Sequence, residues 1–159
     1  MPAMTNILVK DDAGTPVEFT LVPVTDTPDP IWRGTVSNVP LDGQPRLTLS
    51  QEKTKAGAYK VTAKLEVPVL ETLGASGTSA GYVAPPKVAY VTTGIFTMFA
   101  DGRSTTADRA NALKMLVGFL QGSSSTTNTG ILANNAAGDA WKNSVLVGPQ
   151  AFTQMVVPN

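Results

Sequence analysis

One stretch of the chain has the spacing of a catalytic motif. Gly77-Thr78-Ser79-Ala80-Gly81 fits G-x-S-x-G, the pattern of a nucleophile elbow. An elbow needs a strand before the serine, a helix after it and a histidine base. The sequence around Ser79 is rich in Gly, Ser, Thr and Pro, and the chain has no His at all. The pentapeptide therefore reads as loop. Cys is absent too, which removes thiolate nucleophiles, disulfides and soft metal sites. Asp11 and Asp12 are adjacent acids, and Asp26 and Asp29 are close neighbours. All four sit beside turn residues, where carboxylates commonly cap their own backbone. Zinc patterns, phosphate loops and calcium loops are missing, so the sequence implies no enzyme, no metal and no cofactor.

A different chemistry is spelled by two alternating rows. Arg46, Thr48 and Ser50 share one face of a strand-like run, with Leu47 and Leu49 on the other. In Tyr59–Pro68 the residues Lys60, Thr62, Lys64 and Glu66 alternate with Tyr59, Val61, Ala63, Leu65 and Val67. If the two runs are hairpin neighbours, cations and hydroxyls gather on one sheet face. Cations meet phosphates, and hydroxyls donate to phosphates or base edges. An ordinary solvated sheet face gives the same alternation, so periodicity alone leaves both readings open. Tyr90 and Thr92 lie on a later strand. A tyrosine beside such a patch can stack on an unpaired base; by itself Tyr90 reads as a packing residue.

The elements that must position these rows can be read in order. Thr5–Asp11 and Val17–Val24 form a hairpin around Asp11-Asp12-Ala13-Gly14. Thr25–Pro30 is a loop, Ile31–Ser37 a third strand and Asn38–Pro45 a second turn. Arg46–Glu52 and Tyr59–Pro68 follow, then a long loop at Leu70–Pro86 and a last strand at Lys87–Ala100. Next the period changes. Ser104-Thr105-Thr106-Ala107-Asp108 has a hydroxyl cap and an acid in the first turn. Ala110, Leu113, Leu116, Val117 and Leu120 recur at helical spacing, and Gly122 is the expected stop. Beyond it, Ile131–Trp141 is a candidate short helix, and Val145–Val147 and Phe152–Val157 are candidate extended pieces. Strands followed by helices make an α+β class. One or two helices cover little of such a sheet, so dimerisation, with each helix over a neighbouring sheet, is the economical solution.

Composition agrees with a single domain. The chain has 159 residues, 42% of them hydrophobic and only 15% charged. Lys plus Arg number 12 and Asp plus Glu 12, so whole-chain charge does not attract nucleic acid and only a local face can. The first residues lack a basic segment followed by an apolar core, and no apolar run approaches the ~20 residues of a membrane helix. A soluble chain with no membrane partner is expected.

The ordered set of features resembles the coat proteins of levivirus-type single-stranded RNA bacteriophages. Ala58-Tyr59-Lys60-Val61-Thr62-Ala63-Lys64-Leu65-Glu66-Val67-Pro68 is similar to their central strand. Ala89-Tyr90 and the aromatic run to Phe99 are similar to the last strand, and Ser104-Thr105-Thr106-Ala107-Asp108-Arg109 to the start of the helix. Trp32 stands where some members carry a Trp. The resemblance runs from about Thr5 to Ala137, which implies a coat domain at 1–137 and a C-terminal extension of that domain at 138–159.

This resemblance implies an N-terminal β-hairpin plus a five-stranded antiparallel sheet followed by two C-terminal helices, the second around Gly130–Ala137. It implies an interlocked homodimer that assembles into an icosahedral T=3 shell, formed in the bacterial host cytoplasm and found in the virion. The inner sheet face would bind a genomic RNA hairpin, repressing replicase translation and marking the genome for packaging. Carried over by position, the RNA-binding residues would be Arg46, Thr48, Ser50, Lys60, Thr62, Lys64, Tyr90 and Thr92. Thr92 departs from the family's Asn or Asp, and Glu52 stands where a basic residue can occur. The extension has no family role; packing on the shell exterior or pairing with a neighbouring subunit is the expectation. The rival reading is a β-rich structural assembly subunit, such as a pilus-like one, without RNA binding.

Overall fold

Alternating side chains and short polar turns build an antiparallel sheet first and helices afterwards. A computed structural model describes residues 4–13, 15–71, 86–122, 141–143 and 145–155. The strands are β1 (Ile7–Lys10), β2 (Glu18–Thr25), β3 (Ile31–Gly34), β4 (Arg46–Lys53), β5 (Tyr59–Leu70) and β6 (Val88–Ala100). They pair in sequence order as one six-stranded sheet. The expected hairpin and five further strands become six because β2 serves twice. It is eight residues long, pairs with β1 and then with β3.

The chain divides into two compact units. The first contains residues 1–9 and 19–101, essentially the sheet. Its core lies on the face carrying Leu21, Trp32 and Ala100, the buried apolar side chains among the described residues of this unit. Register carries this face across the sheet: Pro23 opposes Trp32, Trp32 opposes Leu47, Leu47 opposes Leu65 and Leu65 opposes Gly94. The Trp32 indole nitrogen donates to the Thr5 carbonyl at 2.9 Å, so the ring is satisfied as well as buried. Between β3 and β4 the chain makes a 3-10 turn at Leu41–Gly43. The buried Gln44 amide fixes this turn, accepting from Val36 N–H at 2.9 Å and donating to the carbonyls of Val36 and Val39 at 2.8 and 3.0 Å.

The second unit contains residues 10–18 and 102–159. Its main helix, α1 (Thr106–Leu120), starts where the cap signal indicates. The Thr105 hydroxyl accepts from Asp108 N–H at 3.2 Å, and the Asp108 carboxylate accepts from Thr105 N–H at 2.9 Å. Those Thr105 donors hold the Asp108 carboxyl below its ordinary pKa range. Gly122, at φ +79°, follows the helix in the left-handed conformation that a stop requires.

The C-terminal segment corrects the sequence reading. The extended pieces expected at Val145–Val147 and Phe152–Val157 meet a short helix, α2 (Val147–Thr153), at Val147, Phe152 and Thr153, while Val156 and Val157 lie outside the described residues. This helix packs on α1, with Pro149 fully buried. A seven-residue helix holding Gly148 and Pro149 has little intrinsic propensity, and tertiary packing makes it. Before it, Trp141–Asn143 forms a single 3-10 turn. The helix expected at Ile131–Trp141 and the one implied near Gly130–Ala137 lie almost wholly outside the described residues, as does most of the long loop at Leu70–Pro86.

The two hairpin aspartates have different duties. Asp11 caps its own turn, accepting from Ala13 N–H at 3.3 Å and Val17 N–H at 2.8 Å. Asp12 reaches across the unit, its carboxylate accepting from Trp141 N–H at 2.7 Å and Lys142 N–H at 3.0 Å. Among the described residues no helix is long and apolar enough to cross a membrane, and no group of acidic side chains could hold a metal ion.

Candidate nucleic-acid interface

Directly opposed residues of an antiparallel pair project from the same face. The register therefore writes the polar face as cross-strand rows. Arg33 opposes Arg46, Arg46 opposes Glu66, and Glu66 opposes Thr93. In the next row stand Ile31, Thr48, Lys64 and Ile95. Ser50, Thr62 and Thr97 follow, and then Glu52, Lys60 and Phe99. Arg46, Thr48, Ser50, Lys60, Thr62 and Lys64 thus converge on one surface, as their alternation implied.

Tyr90 and Thr92 do not join them. Tyr90 opposes Val69 and Thr92 opposes Val67, on the face of Val61 and Leu65. The physical reason is an unbroken register: β5 and β6 pair without a shift from Tyr59–Ala100 to Val69–Tyr90, so parity is fixed along that whole stretch. The β6 residues that do share the cationic face are Val91, Thr93, Ile95, Thr97 and Phe99. Placing Tyr90 by resemblance put it one residue out of phase.

Ion pairs temper the face. Arg46 Nη2 lies 2.8 Å from Glu66 Oε2, and Lys64 Nζ 2.8 Å from Glu66 Oε1. Lys60 Nζ lies 2.5 Å from Glu52 Oε1. The Arg46 hydrogen bond first, then that of Lys64, lowers the Glu66 pKa, so this carboxylate stays ionised through neutral pH. The contribution it makes by pairing is full at neutral pH and is lost only as pH falls below the ordinary glutamate range. Across β3 to β6 the face carries four cations, Arg33, Arg46, Lys60 and Lys64, against two carboxylates, Glu52 and Glu66. The excess is positive although the chain as a whole is neutral. The exposed Lys60–Glu52 pair is of a kind worth ~0–1 kcal/mol, so Glu52 holds this lysine only weakly, whereas Glu66 is 16% exposed and is shared between Arg46 and Lys64.

Arg33 is the residue the sequence reading missed. Its guanidinium has no carboxylate or hydrogen-bond partner among the described residues. The signal was a lone arginine on a four-residue strand, and only the Arg33–Arg46 register assigns it a face. Hydroxyls fill the space between the charges, with the Thr62 and Thr97 oxygens 3.1 Å apart.

Residues 2–137 match the family model described as Levivirus coat protein. The chain belongs to the levivirus coat protein family. It is 38% identical over 120 residues to the capsid protein of Pseudomonas phage PRR1, covering 73% of this chain and 84% of that protein. Among solved structures it is similar to a virus-like particle of bacteriophage EMS014, at 48% identity and a TM-score of 0.87, covering 99% of this chain and 100% of the other. The capsid protein of bacteriophage GA shares the fold at 22% identity and a TM-score of 0.55, covering 76% of this chain and 87% of its own. A levivirus coat protein has a structural role rather than a catalytic one. The family model ends at 137, whereas the EMS014 likeness spans essentially the whole chain, including the segment that forms α2.

A first consequence concerns Glu52. Because its carboxylate occupies Lys60, Glu52→Gln is expected to free that cation. If Lys60 meets an RNA phosphate, affinity for RNA should rise a few-fold, with a steeper dependence on salt by somewhat less than one ion, since each phosphate contact contributes a slope of roughly 0.7–0.9. Filter binding of a labelled RNA hairpin over a salt series measures this; an unchanged slope would mean that Lys60 does not meet phosphate.

Proposed function

We propose that this coat protein forms a homodimer that assembles into an icosahedral shell, and that the Lys60/Thr62/Lys64 face binds a hairpin of the genomic RNA inside it. Carrying the reading is the gathering of four cations and a field of hydroxyls on one sheet face of an otherwise neutral chain. Cations position phosphates, and hydroxyls and base edges add selectivity. Binding one hairpin of the genome would repress replicase translation and select that RNA for packaging in the host cytoplasm.

Dimerisation is supported by what a single chain leaves open. β6 is thirteen residues long and stands at the sheet edge, the arrangement most prone to pair with another chain. α1 buries none of its residues within the chain, and Leu113, Met115, Val117 and Phe119 are exposed along it. A second copy offers both a strand edge and an apolar surface of the same kind. The virus-like particle of the EMS014 relative supports assembly of many copies.

The test is to express the chain alone and inspect the product by electron microscopy, then repeat with the double variant Lys60→Ala/Lys64→Ala. Uniform shells containing RNA are expected from the parent. The double variant should still form dimers but bind a labelled hairpin about tenfold or more weakly, two charged hydrogen bonds being worth roughly 1.5–3 kcal/mol each before compensation. Shells without nucleic acid, and equal RNA affinity for both proteins, would instead favour an assembly subunit with no RNA role.

A further inference from the structure

Residues 143–159 carry no charged side chain. In the described part of this tail the usual division of polar and apolar side chains is inverted. The polar ones bond within the subunit: the Thr153 hydroxyl donates to the Pro149 carbonyl at 2.8 Å, and the Gln154 amide to the Lys142 carbonyl at 3.2 Å. The large apolar ones, Leu146 apart, face out. Val145 is 83% exposed, Phe152 64% and Met155 80%, and Val147 is exposed with them. Met155 also stands at φ +57°, the left-handed position after a helix where glycine is usual, and keeps a long apolar side chain there. We propose that this tail is a contact surface between copies of the chain, covered in the assembled protein by a second copy. It rests on the self-assembly reading given above and lies outside the 2–137 stretch that the family model covers.

The surface is held in place before any partner arrives. Gly148 lies against the Phe119 carbonyl, Leu146 lies against Gly122, and Pro149 is fully buried. Asp12 pins the 3-10 turn in front of α2 by accepting from two backbone N–H groups. Covering a surface that is already ordered loses little conformational entropy, and contiguous exposed apolar side chains mark contact sites. The missing charges narrow what can cover it. RNA asks for cations. A membrane surface asks for a longer amphipathic helix with a basic face, and α2 has seven residues and no cation. An apolar protein surface fits, and an assembly of this chain supplies one in every other copy. Continuity points the same way. Phe119, on whose backbone Gly148 rests, is exposed on α1, and so is Met115 one turn earlier on the same side. The apolar surface of α1 that is assigned above to a second copy therefore runs on into α2. A two-fold contact lets one such surface serve both copies.

The chain has no cysteine, so a single introduced thiol reports its own burial. Val145→Cys and Met155→Cys, each made in the full chain, are labelled with a maleimide in the assembled protein. Both positions are open in the lone subunit, so without the contact they react as fast as free cysteine. Labelling about tenfold slower or more is expected at one or both, since the core of an interface excludes water; the free rate at both overturns the contact. Phe152→Asp measures its strength. That side chain is exposed within the subunit, so the subunit keeps its own packing, and hydrogen exchange across residues 141–155 checks that α2 stays docked. Dissociation of the assembled protein, followed by sedimentation over a concentration series, should move to about tenfold higher protein concentration, the scale of losing one aromatic anchor. Unchanged dissociation with α2 docked overturns the contact and leaves the self-assembly reading standing. If exchange shows α2 released in this variant, the two cysteine rates decide. A parent protein that sediments as a monomer at every concentration would sink the self-assembly reading, and this contact with it.

Discussion

Gly148→Ala is expected to detach the C-terminal segment from α1. A Cβ at Gly148 would overlap the Phe119 carbonyl oxygen and stand 2.9 Å from its carbonyl carbon and 3.4 Å from the Leu120 Cα. These are backbone atoms in the last turn of a helix and cannot rotate aside as a side chain would. Relief requires α2 to move away from α1. The contacts beside it would then open: Pro149 is fully buried, and Leu146 packs on Gly122 so closely that a Cβ added there would overlap its side chain. Overpacking of this kind costs roughly 1–3 kcal/mol. A seven-residue helix with few contacts of its own has little to set against that. Hydrogen exchange across residues 141–155 should show the loss as faster exchange, with β4 and β5 unchanged. Equal protection in both proteins would mean that the segment is not held by this close approach. Asp12 provides an internal comparison, since its two hydrogen bonds to the 3-10 turn survive in the variant only if that turn stays docked.

How far the sequence could be read depended on the kind of signal each element left. β4 alternates from Arg46 to Ser50 and β5 from Tyr59 to Val67, so their cationic face was legible in the residues themselves. So was the start of α1, because Thr105 and Asp108 stand at the spacing of a reciprocal cap. β6 has no such pattern: Ala89-Tyr90-Val91-Thr92-Thr93-Gly94-Ile95 mixes polar and apolar residues on both faces. Only pairing with β5 decides which of them share the face of Lys64, and it places Thr93 and Ile95 there rather than Tyr90 and Thr92. Arg33 was hidden for a related reason, since a four-residue strand is too short to declare a face. α2 was hidden because its glycine and proline argue against a helix locally. Pro149 is tolerated in the first turn, where its missing N–H has no partner to lose, and Gly148 is there because nothing larger fits. In each missed case a long-range contact overrode, or alone supplied, the local information.

Within the sheet unit, Leu21→Ala is expected to destabilise the fold by about 3 kcal/mol, within the range for truncating a buried leucine when the cavity only partly collapses. Leu21 has no exposed surface, and Trp32, on the same face, is 6% exposed. Gly34 opposes Leu21 in β3 and is itself hemmed by the Pro45 ring, at 2.7 Å from where a Cβ would be. The space left by the leucine therefore has a glycine on one side and a rigid ring nearby, neither of which can grow into it. Because few other apolar side chains are buried among the described residues, the loss is a large fraction of the ~5–15 kcal/mol that a domain holds. Urea unfolding followed by tryptophan fluorescence should show a lower midpoint at every protein concentration, with Leu8→Ala, at a position 60% exposed, as the near-silent control. Concentration must be varied because association adds stability by mass action. A midpoint that falls only at low concentration would place the effect in assembly rather than in the sheet. Leu21 lies on the face opposite the cations, so protein that remains folded should bind RNA with the parent's affinity; a parallel loss of RNA binding under native conditions would mean that the two faces are not independent.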